Sequence, residues 1–264
     1  MSTGSPSDTG RTQSNSNTAL LIYGIVPADA KPKGQGVGRS PTPIRTVPHG
    51  RIAALVSEVS LDESLDRAED LQGYSRVVDE LVNEMPVIPI RFGAALEDEA
   101  AVSSGLLEPN ERKFESALDE LAGLAEYLVI GQYIEEAVLR EILQEDQQAA
   151  ALSEALRTAP ADASRDLSLA LGETVNADLE YKRQADATIM VNALQELTDE
   201  LVLRPPTHEQ EVAAIAALIP TGKQDDLMRI GDQLSKQWSN RVDLRIVGPL
   251  AAWDFMTIEA TDSP

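Results

Sequence analysis

The sequence predicts an α+β protein of two domains. The first is an N-terminal ferredoxin-like α/β sandwich over 19–145, and the second a C-terminal helix-rich α/β domain over 146–258 with a long helix. Three observations carry this. Short apolar runs alternate with helical spacing up to about residue 145, as in a sheet with helices packed on it. Beyond that point helical spacing dominates, with one stretch running from about 165 to 200. At 264 residues and 42% hydrophobic content, each half, roughly 120 residues, can bury its own core.

Residues 1–18 are polar and rich in Gly, Ser and Thr, the composition of a disordered tail. ALLIYGIV at 19–26 reads as a buried strand. Residues 27–50 are dense in glycine and proline and read as a loop, with GQGVG at 34–38 near its tip. RIAALVS at 51–57 is a second strand that can extend to Val59. Leu65, Ala68, Leu71, Val78, Leu81, Val82 and Met85 then recur at helical spacing until Pro86. VIPI at 87–90 is extended, and Pro89 places it at a sheet edge. After Arg91–Phe92–Gly93, EDEAAVSSGL opens a short helix with acids in its first turn. Asn110 is a candidate N-cap for the helix of Phe114, Leu118 and Leu121.

EYLVIGQ at 126–132 is a strand, and helix returns from about 134 to 148. Residues 149–158 favour helix, 159–164 break it, and 165–200 reads as one long helix or two shorter ones. Residues 201–203 can begin a strand. EVAAIAALI at 211–219 fits strand or short helix equally well. Leu227, Ile230, Leu234 and Trp238 mark a helix over 223–239, with Asn240 at its end. RVDLRIV at 241–247 alternates strictly and is the clearest strand; GPL at 248–250 reads as its turn. Trp253 and Phe255 then stand at alternate positions, and the last six residues fray. No tandem repeat is visible.

Composition excludes whole classes of chemistry. There is no cysteine, so disulfides, thiol nucleophiles and cysteine metal sites are ruled out, in keeping with a reducing cytoplasm. With 44 acidic against 22 basic residues the net charge is -22, which repels phosphate backbones; no nucleic-acid partner is expected. The acidic run at 97–99 reads as solvated surface or as a contact for a basic partner. No apolar run reaches the length of about 18 residues that spans a bilayer.

A search for catalytic, cofactor or metal sites returns none. His49 and His208 both lie near proline in loop-like sequence, without an identifiable nucleophile or carboxylate partner. GQGVG lacks the GK[ST] of a phosphate-binding loop and is not a strand-to-helix turn. The long helix carries acids without the Glu-x-x-His spacing of a di-metal bundle. Phe92 reads as core, whereas Arg91 can pair with a carboxylate or an anion. Trp253 and Phe255 read as core or as an aromatic anchor for a partner.

LLIYGIVPAD at 20–29, GRIAALVSEV at 50–59, MPVIPIRFGAALEDEAAV at 85–102 and EYLVIGQYIEEAVLREIL at 126–143 together resemble the gas vesicle accessory proteins of the GvpF/GvpL family. So do LSLALGETVNADLEYKRQADA at 167–187 and RVDLRIVGPLAAWDFM at 241–256. The resemblance implies a ferredoxin-like N-terminal domain, a helix-rich C-terminal domain, no enzymatic activity and no cofactor. It also implies a place at the gas vesicle or in the cytoplasm beside it. There the protein would help assemble the vesicle, or be a minor component of it, by binding the hydrophobic shell protein and other accessory proteins. Tyr74 stands where the family commonly has histidine, and AAWDF replaces a proline-rich ending. The candidates for contact with such partners are Tyr74, Arg91, Trp253 and Phe255. The rival classes are an enzyme with a composite site and a ferredoxin-like ligand- or RNA-binding module.

Overall fold

In a computed structural model that describes residues 17–239 and 241–256, the chain is built on two antiparallel sheets. Three sequence expectations lie outside the described residues: the polar tail as far as residue 16, the stop at Asn240, and the frayed end from 259 to 264.

The first sheet takes β1 (Thr18–Pro27), β2 (Arg45–His49), β3 (Ile52–Ser60), α1 (Ala68–Asp79), β4 (Ile88–Pro89) and β5 (Ala95–Leu96). Its order is β2-β3-β1-β4, with β5 also pairing β1. β1 is buried along its length because both faces are covered, which is why it reads as a continuous apolar run. α1 covers one face through Tyr74 and Val78. The other face, with Leu20, Ile22 and Ile25, packs beneath a helix that starts after Asp98. That helix comprises α2 (Glu99–Ala101), a π-helical stretch (Val102–Leu107) and α3 (Glu108–Leu121).

Several local expectations change here. β2 lies inside the segment read as loop. It is a short edge strand, so Pro48 withholds a donor without breaking the ladder. GQGVG is not a loop tip: Val37 is buried and its N–H donates to the Tyr23 hydroxyl at 2.9 Å. Gly36 is needed there, since a Cβ would lie 2.2 Å from Ser57 Oγ. α1 stops at Asp79, and the apolar spacing continues to Met85 through hydrogen-bonded turns. Asn110 is not the N-cap. Asp98 caps the helix by accepting from Ala101 N, and Asn110 Nδ2 donates to Leu106 O within it. Pro109 lacks the N–H the ladder would use, and the π-helical turn just before it resets that ladder.

The second sheet takes β6 (Leu124–Tyr133), α4 (Glu135–Glu145), α5 (Gln147–Thr158), α6 (Ala161–Leu194), β7 (Leu201–Arg204), β8 (Glu211–Pro220), a 3-10 turn (Thr221–Lys223), α7 (Gln224–Gln237) and β9 (Val242–Leu250). Its order is β7-β8-β6-β9. β6, read from the alternation with the first half, pairs with β8 and β9 of the second. The ambiguous 211–219 segment is a strand, decided by its pairing with β6 on one side and β7 on the other. α6 is one helix of 34 residues. α4 and α5 are separated by Asp146 alone, whose carboxylate caps Gln148 N and Ala149 N.

Both sheets share one strand order: second, third, first, fourth. This is the order of a ferredoxin-like βαββαβ sheet. The final crossovers match too, α1 in one sheet and α7 in the other. The first crossovers differ, being irregular chain over 28–44 in one and α4 to α6 in the other. That difference hides the shared strand order from sequence. The two sheets share buried surface, with Tyr23, Leu55 and Tyr74 in one core cluster with Tyr127, Met190 and Leu234. Leu218 and Ala252 likewise join the core of Ile22, Ile88 and Phe114.

The expected GPL turn is strand instead. β9 continues through a cis Gly248–Pro249 bond to Leu250, opposite a register shift in β6. Gly248 has φ 150°, and a Cβ on it would lie 2.7 Å from the Tyr127 ring. Gly248→Ala is therefore expected to destabilise the fold by about 1–3 kcal/mol, measured by urea unfolding; a change within error would contradict this packing. Residues 251–256 are a hydrogen-bonded turn rather than a strand, with Met256 N donating to Ala252 O at 2.8 Å. Trp253 and Phe255 consequently pack into different core clusters.

Candidate functional site

The chemistry-bearing side chains converge where residues 251–256 cross between the two sheets. At one end of this segment, Ala251 N and Trp253 Nε1 each donate to Asp79 Oδ1 at 2.9 Å, tying it to the last turn of α1. Burial pushes the Asp79 carboxyl up, against the pull of those two donors. The Trp253 ring lies 6.3 Å from that of Tyr74. Tyr74 in turn stacks on Tyr23 at 4.8 Å and meets Phe92 edge-on at 5.0 Å. The Tyr74 hydroxyl donates between Ile22 O at 2.7 Å and Ile90 O at 2.8 Å, joining β1 to the strand that follows α1. Burial pushes this phenol far up, so it stays a donor.

At the other end, Asp254 meets the second sheet. Its N–H donates to Glu126 Oε2 at 2.9 Å, and its carboxylate accepts from Arg204 Nε and Nη2. Arg204 Nη2 also stands 3.5 Å from Glu126 Oε1. Glu126 is fully buried, and among the described residues its Oε1 has no hydrogen-bond partner. Beyond Asp254, Phe255 and Met256 border a cleft of about 480 Å³ with Ile88, Lys113, Ala117 and Glu120.

Of the four contact candidates, the structure brings Tyr74 and Trp253 together. Tyr74 is fully buried and spends both ring and hydroxyl inside the chain, so it has no surface to offer a partner. Trp253 is half-buried in the same aromatic group. Phe255 is half-buried against the other core, and Arg91 is exposed at the turn before Gly93. Sequence reasoning missed Asp79, Glu126, Arg204 and Asp254. Glu126 left one trace, as the lone acid in an apolar strand. Nothing in the sequence links Arg204 to Asp254.

The catalytic reading gains little from the geometry. His49 Nδ1 is 3.2 Å from Ser103 Oγ, but Glu111 is 4.0 Å from the other ring nitrogen. Ser103 sits inside the π-helical stretch, where its neighbouring N–H groups belong to the helical ladder rather than to an oxyanion site. His208 Nε2 lies 3.0 Å from Gln132 Nε2 on the surface. Among the described residues, no group of three His, Asp or Glu side chains is placed to hold a metal ion.

Residues 19–257 match the family model described as "Gas vesicle synthesis protein GvpL/GvpF". The chain is 32% identical to gas vesicle protein F of Streptomyces sp. (strain CB03234) over 243 residues, covering 90% of this chain and 99% of that one. The fold is similar to the crystal structure of GvpF from Anabaena sp. PCC7120, with a TM-score of 0.75 at 19% identity over 94% of this chain and 100% of that one. It is also similar to GvpF from Microcystis aeruginosa, with a TM-score of 0.68 at 18% identity over 90% of this chain and 98% of that one.

Proposed function

The chain belongs to the GvpL/GvpF family of gas vesicle synthesis proteins, and from that membership we propose that it works in vesicle formation by binding rather than by catalysis. Its partners are the apolar shell protein and other accessory proteins. The observation that carries this reading is the continuous family match from 19 to 257, which takes in both sheets and the segment joining them. Electrostatics supports it. A net charge of -22 opposes self-association and favours partners with basic contact patches. The polar groups also support it: Asp79 holds Ala251 and Trp253, Tyr74 bridges the carbonyls of Ile22 and Ile90, and Asp254 pairs with Arg204, each joining one part of the chain to another as structural groups do. No helix among the described residues is long and apolar enough to cross a membrane.

Deleting the gene in a vesicle-forming host is expected to abolish vesicles or arrest them at small size by electron microscopy, with the intact gene restoring them. Normal vesicles in the deletion strain would defeat the proposal. Co-purification with the shell protein from the same host separates the partner claim from the broader role.

A further inference from the structure

Residues 251–256 are held to the body by polar groups under electrostatic stress. Glu126 and Asp254 are two carboxylates that share one guanidinium, that of Arg204. Glu126 is fully buried, opposite Leu218 on β8 and Leu250 on β9, and its Oε1 is without a hydrogen bond among the described residues. The groups facing it are thus Arg204 from β7 and Asp254 from the segment itself. The far end of the segment rests on a third acid, Asp79 of α1. Ala251 and Ala252 are buried in the two core clusters that the segment bridges.

From this geometry we propose that residues 251–256 form a releasable strap, closed while Glu126 is protonated and loosened when Glu126 ionises. In the closed state Arg204 and Asp254 balance each other, and the neutral Glu126 accepts the Asp254 N–H. Loss of the Glu126 proton to solvent leaves two carboxylates against one cation in a buried site, an excess negative charge that water would solvate far better. Opening the strap relieves this by letting water reach Glu126. It also withdraws Trp253 from the Tyr74–Phe92 ring group and uncovers apolar surface along the seam between the sheets.

The pH window follows from burial, the largest influence on Glu126. Burial pushes the carboxyl up to about 8, and the Asp254 carboxylate adds to it, against the pull of the Asp254 N–H and Arg204. An acid raised on folding contributes stability that is complete below its ordinary value and is lost as pH rises through the folded one. The strap is therefore closed on the acid side of that window and open above it. Asp79, also raised by burial, acts in the same direction.

Release is a property of the chain alone, so its test needs no vesicle and can fail without touching the proposed function. Hydrogen exchange of the full chain, corrected for intrinsic rates, is compared at about pH 6 and about pH 9. Protection of the 251–256 amides is expected to fall about tenfold relative to β3 amides. In Glu126→Gln, which stays neutral, that fall should vanish. Asp254→Asn removes the carboxylate that helps to raise Glu126 and leaves Arg204 to pair with it, so the transition should shrink and move to lower pH, which keeps the proposal testable if the first variant does not fold. Equal protection at both pH values overturns the proposal. So does a parallel loss in β3, which marks global unfolding, or an undiminished pH response in Glu126→Gln.

Discussion

Replacing Asp186 by alanine is expected to destabilise the protein by about 3–5 kcal/mol, the cost of removing one partner of a buried charge pair. Asp186 lies on α6, is 3% exposed, and is the meeting point of three other elements. Its Oδ1 accepts from Trp238 Nε1 and Arg241 Nη2, both at 2.9 Å. Its Oδ2 accepts from the Tyr133 hydroxyl at 2.7 Å and from Arg241 Nη1. Burial by itself would raise this carboxyl, but Arg241, then Tyr133 and Trp238, hold it below the usual carboxylate range. Its contribution is thus present above the ordinary carboxylate pKa and is lost as pH falls through the depressed one. Without Asp186, Arg241 keeps its ion pair with Glu141, at 2.8 Å, and its place over the Tyr133 ring, but the Tyr133 hydroxyl and Trp238 Nε1 lose their acceptor. Urea unfolding should show a lower midpoint with an unchanged slope, and heating a midpoint lowered by on the order of 10 °C. A loss below about 1 kcal/mol would mean that the hub is solvated and contributes little.

Tyr74→Ala is expected to cost a similar amount, about 3–5 kcal/mol, by emptying the centre of a core that both sheets share. Tyr74→Phe separates the two contributions. It keeps the ring against Tyr23 and Phe92 but leaves the Ile22 and Ile90 carbonyls without their donor, a loss of about 1–3 kcal/mol. Denaturant melts of both variants give the split directly. If Tyr74→Phe matched wild type, the hydroxyl bridge between β1 and the segment after α1 would carry no stabilisation, and packing alone would hold α1 to the sheet.

These two residues show where sequence stops being informative. Tyr74 could be placed on a helix from the spacing of its neighbours. Its burial could not, because the aromatic group around it is gathered from β1, the turn at Phe92 and the chain after β9. Asp186 read as one of several acids on a long helix. Its role depends on Arg241 and Trp238, more than 50 residues away. Motif spacing sees partners a few residues apart, whereas these pairs are set by how α6 and α7 lie on one face of the second sheet.

The contact candidates show the same limit. Trp253 and Phe255 stand at alternate positions, a spacing that would put both on one side of an extended segment. The chain instead turns at Ala252 and sends them to separate cores. The strap at 251–256 was thus visible in sequence as an aromatic ending, while its anchors at Asp79, Glu126 and Arg204 were not.

Sequence alone determined the α+β class, the run of most strands and helices and the absence of thiol chemistry, since each rests on composition or on local periodicity, and the resemblance of its segments to known proteins gave the family. Tertiary structure alone decided the shared strand order of the two sheets and the partners of β6. It also decided which acids are buried together, because these depend on contacts between residues far apart in the chain. The ending whose Trp253 and Phe255 read as core or as an anchor for a partner packs, in the folded protein, along the seam between the two sheets.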